Sequence, residues 1–145
     1  MEIKTKDFGV LDIDEKEIIR FPQGLFAFEE CHNFVLIEMD GYKQKWLQSV
    51  DAEYPRFIVF APADLVANYH PQFPPEVLNS LGIPPLDKPL LYVLAVVPEN
   101  IKDMTINLKS PIVVNQKKNI AAQVILETGN YPVRYRVFPQ EKGGV

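Results

Sequence analysis

The sequence has one cysteine, Cys31, so no disulfide can form within the chain and a cysteine-rich zinc site is excluded. Histidine is nearly as scarce. Neither His32 nor His70 stands at a recognisable spacing from further ligands or a catalytic base, and the adjacent pair Cys31 and His32 would face opposite sides of a strand, so ordinary packing is the simpler reading. No serine sits in a glycine-flanked elbow, which leaves a hydrolase without an assembled nucleophile. Positive charge is in deficit: Lys and Arg total 15 against 19 Asp and Glu, a formal net charge of −4, and no clustered basic stripe suits direct binding of RNA or DNA. The amino terminus, Met1 to Lys6, lacks the apolar core of a signal peptide, and no apolar run approaches bilayer length. These shortages point to a cytoplasmic protein, not associated with a membrane, that needs neither metal nor cofactor. Long helices are disfavoured as well, because 13 prolines against 7 glycines punctuate the apolar runs.

What is present is a short chain of 145 residues, 47% hydrophobic, enough for one domain with a real core. The patterning is mainly β, with residues 1–139 as the domain and 140–145 as a loose tail. Met104, Ile106 and Leu108 alternate with Thr105, Asn107 and Lys109, the period of a strand with one face in a core. Pro111 cannot donate to a ladder, so that strand is expected to bend or sit at an edge before Ile112, Val113 and Val114 resume it, and a bent edge is a docking rail for a partner.

Elsewhere, Ile3 to Asp12 reads as an opening hairpin around Gly9, followed by Asp12, Asp14, Glu15 and Glu17. That acidic run lacks the glycine and distal glutamate of a calcium loop and reads as a solvated turn. Phe21-Pro22-Gln23-Gly24-Leu25-Phe26-Ala27-Phe28 gathers aromatics about a turn; they plug one end of a sheet or barrel, or else present a partner-binding patch. Phe34 to Met39 and Trp46 to Val50 form a hairpin across Asp40-Gly41, and Phe57 to Ala61 is a buried strand. From Pro62 to Pro89 an insertion covers the sheet: Asp64 caps a turn through Leu65 to Ala67, and a short helix runs from Pro75 to just before Gly82. Leu90 to Val97 runs through the core with Leu94 and Ala95 inside. Lys117-Lys118-Asn119 is a hairpin tip leading into Ile120 to Leu126, and Tyr131 to Val137 is a last strand with one wet, basic face.

Taken in chain order, several segments resemble the flagellar assembly factor family FliW: Phe21-Pro22-Gln23-Gly24-Leu25 with Phe28-Glu29, Trp46-Leu47-Gln48-Ser49-Val50-Asp51, Val97-Pro98-Glu99 with Asp103-Met104-Thr105-Ile106-Asn107-Leu108, Pro111-Ile112-Val113-Val114-Asn115, and Gln123-Val124-Ile125-Leu126 leading to Tyr131-Pro132-Val133-Arg134. The departures are Ala27 where the family often has glycine, a turn from Gln116 to Ala122 without the usual glycine, and Tyr135-Arg136 in place of a shorter ending. The resemblance implies an antiparallel, barrel-like β fold with a few short helices and a non-enzymatic, cytoplasmic role. It also implies two protein partners. Members of this family bind newly made flagellin, and they bind the RNA-binding translational regulator CsrA; free FliW holds CsrA off flagellin messenger RNA until accumulating flagellin takes FliW up. Expected contact residues are Phe26, Glu29 and Glu30 on the aromatic turn, and Asn107, Lys109, Ser110 and Asn115 on the bent edge, each of which reads equally as an exposed polar face or a structural cap. The free protein is expected to be monomeric. Two rival readings stay open: a small barrel enclosing an apolar ligand, which requires a cavity, and direct RNA binding.

Overall fold

Ile3 and Thr5 face inward from strand β1 (Glu2–Thr5), which pairs antiparallel with β2 (Gly9–Asp12) in the expected opening hairpin. The computed structural model describes residues 1–138, so the tail expected at 140–145 and the domain boundary at 139 lie outside the described residues. The acidic run then closes on itself. Asp14 caps the 3-10 turn Glu15–Glu17, its carboxylate accepting from the Lys16 amide at 2.9 Å while Glu17 reaches back to the Asp14 amide, so both side chains serve a capping box.

The remaining strands are β3 (Ile18–Arg20), β4 (Asn33–Glu38), β5 (Lys45–Ser49), β6 (Arg56–Phe60), β7 (Leu90–Val96), β8 (Thr105–Ile106), β9 (Ile112–Asn115), β10 (Ile120–Gln123) and β11 (Tyr135–Arg136). Seven of them close a barrel in the order β7, β6, β5, β4, β3, β10, β9 and back to β7. Pairing is antiparallel except between β3 and β10, where Arg20 and Ile120 meet in parallel. This is the mainly β, barrel-like fold with short helices. Its interior is filled with side chains: Phe21, Phe34, Leu25, Val59 and Ile112 are at most 1% exposed, and burial of each contributes about 1.5–3 kcal/mol. An enclosed apolar ligand has no place in such a core.

Closure corrects the reading of the chain from Asp103 to Leu126 as a bent edge. Met104, Ile106 and Leu108 are buried as their alternation demands, but β9 lies between β10 and β7, with all four of its residues buried. Both β8 and β9 pair with β7: Ala95 faces Ile106, and Tyr92 faces Ile112. Pro111 stands between those two ladders. Its missing N–H falls where the chain leaves one register and enters the next, and its carbonyl still accepts from the Val124 amide at 3.0 Å. A proline can therefore mark a break inside a closed sheet as well as an edge.

Three smaller expectations change too. On β7 the buried residues are Tyr92 and Val93; Leu94 packs against the barrel core but is only half-buried, while Ala95 faces the other way, half-buried against a second core of Phe60, Val93, Met104, Ile106 and Leu108 that lies outside the barrel wall under Tyr69, Tyr131 and Tyr135. The last strand is only Tyr135–Arg136; Val133 is exposed, and Arg136 bonds Asp103 at 3.0 Å, so the basic face is partly neutralised. Asp64 ends the 3-10 turn Pro62–Asp64 and does not cap a later one. The helix is placed as expected. Helix α1 (Pro75–Ser80) starts on Pro75 and stops at Gly82, whose φ of 69° lets Ile83 donate back to Leu78 at 2.9 Å. Its Val77 and Leu78 pack with Leu81 and Ile83 over Val113 and Val124 on the outside of the barrel. Among the described residues no helix is long and apolar enough to cross a membrane.

Candidate functional site

The aromatic turn divides between plug and surface. Phe21 and Leu25 enter the barrel core, while Phe26 and Phe28 are 46% and 39% exposed at its mouth. Gly24 makes the turn possible: its φ is +66°, and a Cβ there would lie 2.5 Å from the Phe28 carbonyl oxygen. Leu25 and Phe28 then exchange backbone hydrogen bonds of 3.2 and 2.8 Å, which leaves Phe26 and Ala27 at the tip. Ala27 has φ 68°, a value that the third residue of such a turn normally reserves for glycine. That is the physical content of its departure from glycine.

Phe28 is anchored from behind by a run of rings. Its centroid is 5.3 Å from Phe57, Phe57 is 6.3 Å from Phe34, and Phe34 is 5.2 Å from Phe21. Phe26 is tied in through its backbone. Its N–H donates to Gln123 Oε1 at 3.0 Å, and Gln123 Nε2 donates to the Ser110 carbonyl at 3.2 Å. One side chain thus ties the aromatic turn to the Asn107–Pro111 turn, bringing two expected contact regions to one end of the barrel. Gln123 is absent from the expected contact set. It shares parity with core-facing Ala121 in an otherwise apolar strand, and a polar side chain at such a position must find an internal partner.

The seven expected residues fall into two kinds. Phe26, Glu29, Glu30 and Lys109 are exposed, and the Glu29 carboxylate also accepts from the Ala27 amide at 3.3 Å. Asn107 accepts from the amides of Lys109 and Ser110 at 3.1 and 3.0 Å, shaping the turn after β8. Ser110 is buried. Asn115 is also buried, at the far end of β9: Nδ2 donates to the Leu81 and Gly82 carbonyls at 2.8 and 3.2 Å, and Oδ1 accepts from the amides of Lys117 and Lys118. Asn115 therefore holds the α1 terminus to the β9–β10 hairpin and does not join the mouth. In that hairpin Asn119, with φ 50°, takes the conformation a glycine would otherwise supply.

Cys31 and His32 sit at the base of the aromatic turn. Cys31 packs half-buried against the core, while the Phe21 amide donates to the His32 carbonyl at 2.7 Å and His32 Nδ1 lies 2.9 Å from the Phe21 carbonyl. They close the turn. The tyrosines with displaced pKa values lie elsewhere: burial, aided by Tyr131, pushes Tyr69 well above the phenol range, and burial, aided by Glu38, raises Tyr92. The mouth thus offers an apolar tip beside two carboxylates.

The comparisons agree on one family. The model described as FliW protein matches residues 2–137. A flagellar assembly factor FliW from Caldanaerobacter subterraneus subsp. tengcongensis is 35% identical over 144 residues, covering 98% of this chain and 96% of that protein. One from a Geobacillus species is 38% identical over 141 residues, covering 97% of this chain and 98% of its own. A crystal structure of the flagellar assembly factor FliW superposes with a TM-score of 0.90 at 35% identity, covering 97% of this chain and 99% of the other.

Proposed function

The chain belongs to the FliW family of flagellar assembly factors, and from that premise we propose that it binds flagellin as a chaperone and binds CsrA, relieving CsrA repression of flagellin translation by exchanging one partner for the other. It works in the cytoplasm, as a monomer when free, without a cofactor, and without making or breaking bonds. Neither RNA nor a membrane is its target.

The observation that carries this reading is the barrel mouth, where the exposed Phe26 tip stands beside Glu29 and Glu30. An apolar projection next to carboxylates suits partners with apolar helix faces or basic surface, and the net charge of −4 favours encounter with a basic, RNA-binding protein while repelling RNA itself. Within this proposal Phe26, Glu29, Glu30 and Lys109 touch the partner. Asn107 and Ser110 act by holding the turn that presents them, whereas Asn115 fastens the opposite end of the hairpin.

The test is titration with separately purified flagellin and CsrA, using wild-type protein, Phe26→Ser and Glu29→Lys. At least one partner should bind each variant about tenfold more weakly, near 1.4 kcal/mol. Wild-type protein that binds neither partner would overturn the function, and unchanged binding by both variants would overturn the site.

A further inference from the structure

A second surface lies beside α1, at the Asn115 end of the β9–β10 hairpin. The insertion from Pro62 to Pro89 does not pack flush onto the barrel: between its segments runs a cleft of about 670 Å³ whose walls include Phe73, Leu78 and Leu91 together with four prolines. Leu86 stands on its rim with 97% of its surface in water. The turn beneath it is stiff, since the Asp87 amide donates to the Pro84 carbonyl at 3.0 Å and both preceding residues are prolines. A fully exposed leucine on a rigid turn beside an apolar cleft is an unfilled contact, because its conformation is set before anything meets it.

The charge around the cleft selects the occupant. Lys88 lines the cleft and also the adjoining hollow of about 250 Å³, where Lys117 and Lys118 join it. Lys118 Nζ lies against the end of α1, 2.8 Å from where a Gly82 Cβ would be. None of the three lysines has an ion-pair partner among the described residues. Asp87, His70 and the uncharged phenol of Tyr69 are the other titratable groups lining the cleft and the hollow, so the rim is positive on a protein whose net charge is negative. We propose that this cleft docks a partner segment with an apolar stripe and acidic flanks, the opposite charge preference to the mouth at Glu29 and Glu30. The stripe fills the cleft against Leu78 and Leu86, and the flanking carboxylates meet Lys88, Lys117 and Lys118.

The inference is independent of the partners proposed for the mouth and is tested without them. Two synthetic peptides share one leucine stripe at helical spacing; one carries glutamates on its flanks and the other lysines. Each is titrated into the isotope-labelled full chain at moderate salt, and amide shifts are mapped. The glutamate peptide should shift Phe73, Leu78 and Leu86 and bind at least tenfold more tightly there than the lysine peptide. The triple variant Lys88→Glu, Lys117→Glu, Lys118→Glu should abolish or reverse that preference, and Leu86→Ser, at a fully exposed position where folding is not at stake, should weaken the glutamate peptide severalfold. Equal affinities at the cleft, or shifts confined to other surfaces, would overturn the proposal. So would shifts at the cleft that grow with protein concentration alone, because the occupant would then be a second copy of this chain.

Discussion

Replacing Asn115 by alanine separates a structural residue from a contact residue more sharply than any other change in the chain. Its buried amide makes four hydrogen bonds: to the Leu81 and Gly82 carbonyls at 2.8 and 3.2 Å, and from the Lys117 and Lys118 amides at 3.1 and 3.3 Å. Alanine removes all four. With each net bond contributing about 0.5–1.5 kcal/mol, and the longer two at the weak end, the loss is about 2–3 kcal/mol. For a chain of 145 residues that lowers Tm by about 5–10 °C. Urea denaturation followed by circular dichroism reads the change as a lower midpoint at unaltered slope. If Asn115 met partners directly instead, Asn115→Ala would leave the midpoint within about 0.5 kcal/mol of wild type while weakening binding, and that result would refute the reasoning.

The aromatic turn yields a reciprocal pair. Gly24→Ala, with a Cβ 2.5 Å from the Phe28 oxygen at φ +66°, should cost more than about 2 kcal/mol by the same denaturation assay, and a smaller loss would mean the turn yields freely. Ala27→Gly, at φ 68°, relieves about 1–2 kcal/mol of left-handed strain, returns about 0.4–1 kcal/mol through the freer unfolded chain, and should stabilise by about 0.5–1 kcal/mol; destabilisation would contradict the strained geometry. Gln123→Ala, which unties Phe26 from Ser110, should cost about 1–2 kcal/mol and speed amide exchange at Phe26, and unchanged exchange there would remove the bridge. Tyr69 gives a pH dependence: burial raises its folded pKa above the unfolded value near 10, so stability is intact below about pH 10 and declines as the unfolded chain releases the proton above it. Tyr69→Phe should lose about 1 kcal/mol at neutral pH with its 2.7 Å bond to Leu108, and should flatten the alkaline decline, leaving the part due to Tyr92; parallel pH profiles would rule this out.

Period and punctuation made much of this molecule legible in the sequence. Met104, Ile106 and Leu108 are buried because a strand has two faces, and α1 begins on Pro75 and gives way at Gly82 because those residues suit its first position and its left-handed exit. The reading failed where the outcome depends on which strands meet. Pro111 carries the same local signal at an edge and between two ladders, and β7 lies beside both β8 and β9 only because the sheet closes, a long-range event that no window of sequence contains. The same closure leaves Leu94 on the inner side, only half-buried, and turns Ala95 to the outer one. Local period cannot reveal that the outer wall of β7 has its own core beneath Tyr69 and Tyr135.

The contact set divides along the same line. The exposure of Phe26, Glu29 and Glu30 was legible because a tight turn and the polar residues after it leave few ways to hide, whereas Asn107, Ser110 and Asn115 looked like a polar edge and are the fastenings of turns. Gln123 and Asn115 lie at opposite ends of one short hairpin, the first fastened to the aromatic mouth and the second to the end of α1. The pairs Ile120–Asn115 to Gln123–Ile112 between them are a continuous ladder with a buried face. A hairpin so tied at both ends cannot shift register at one without straining the other, since a slip of one residue would exchange Ile112, Val114 and Ala121, which face the barrel core, with Val113 and Ala122, which face α1. The acidic mouth and the basic-rimmed cleft therefore lie at the two ends of a single hairpin, fastened at one by Gln123 and at the other by Asn115.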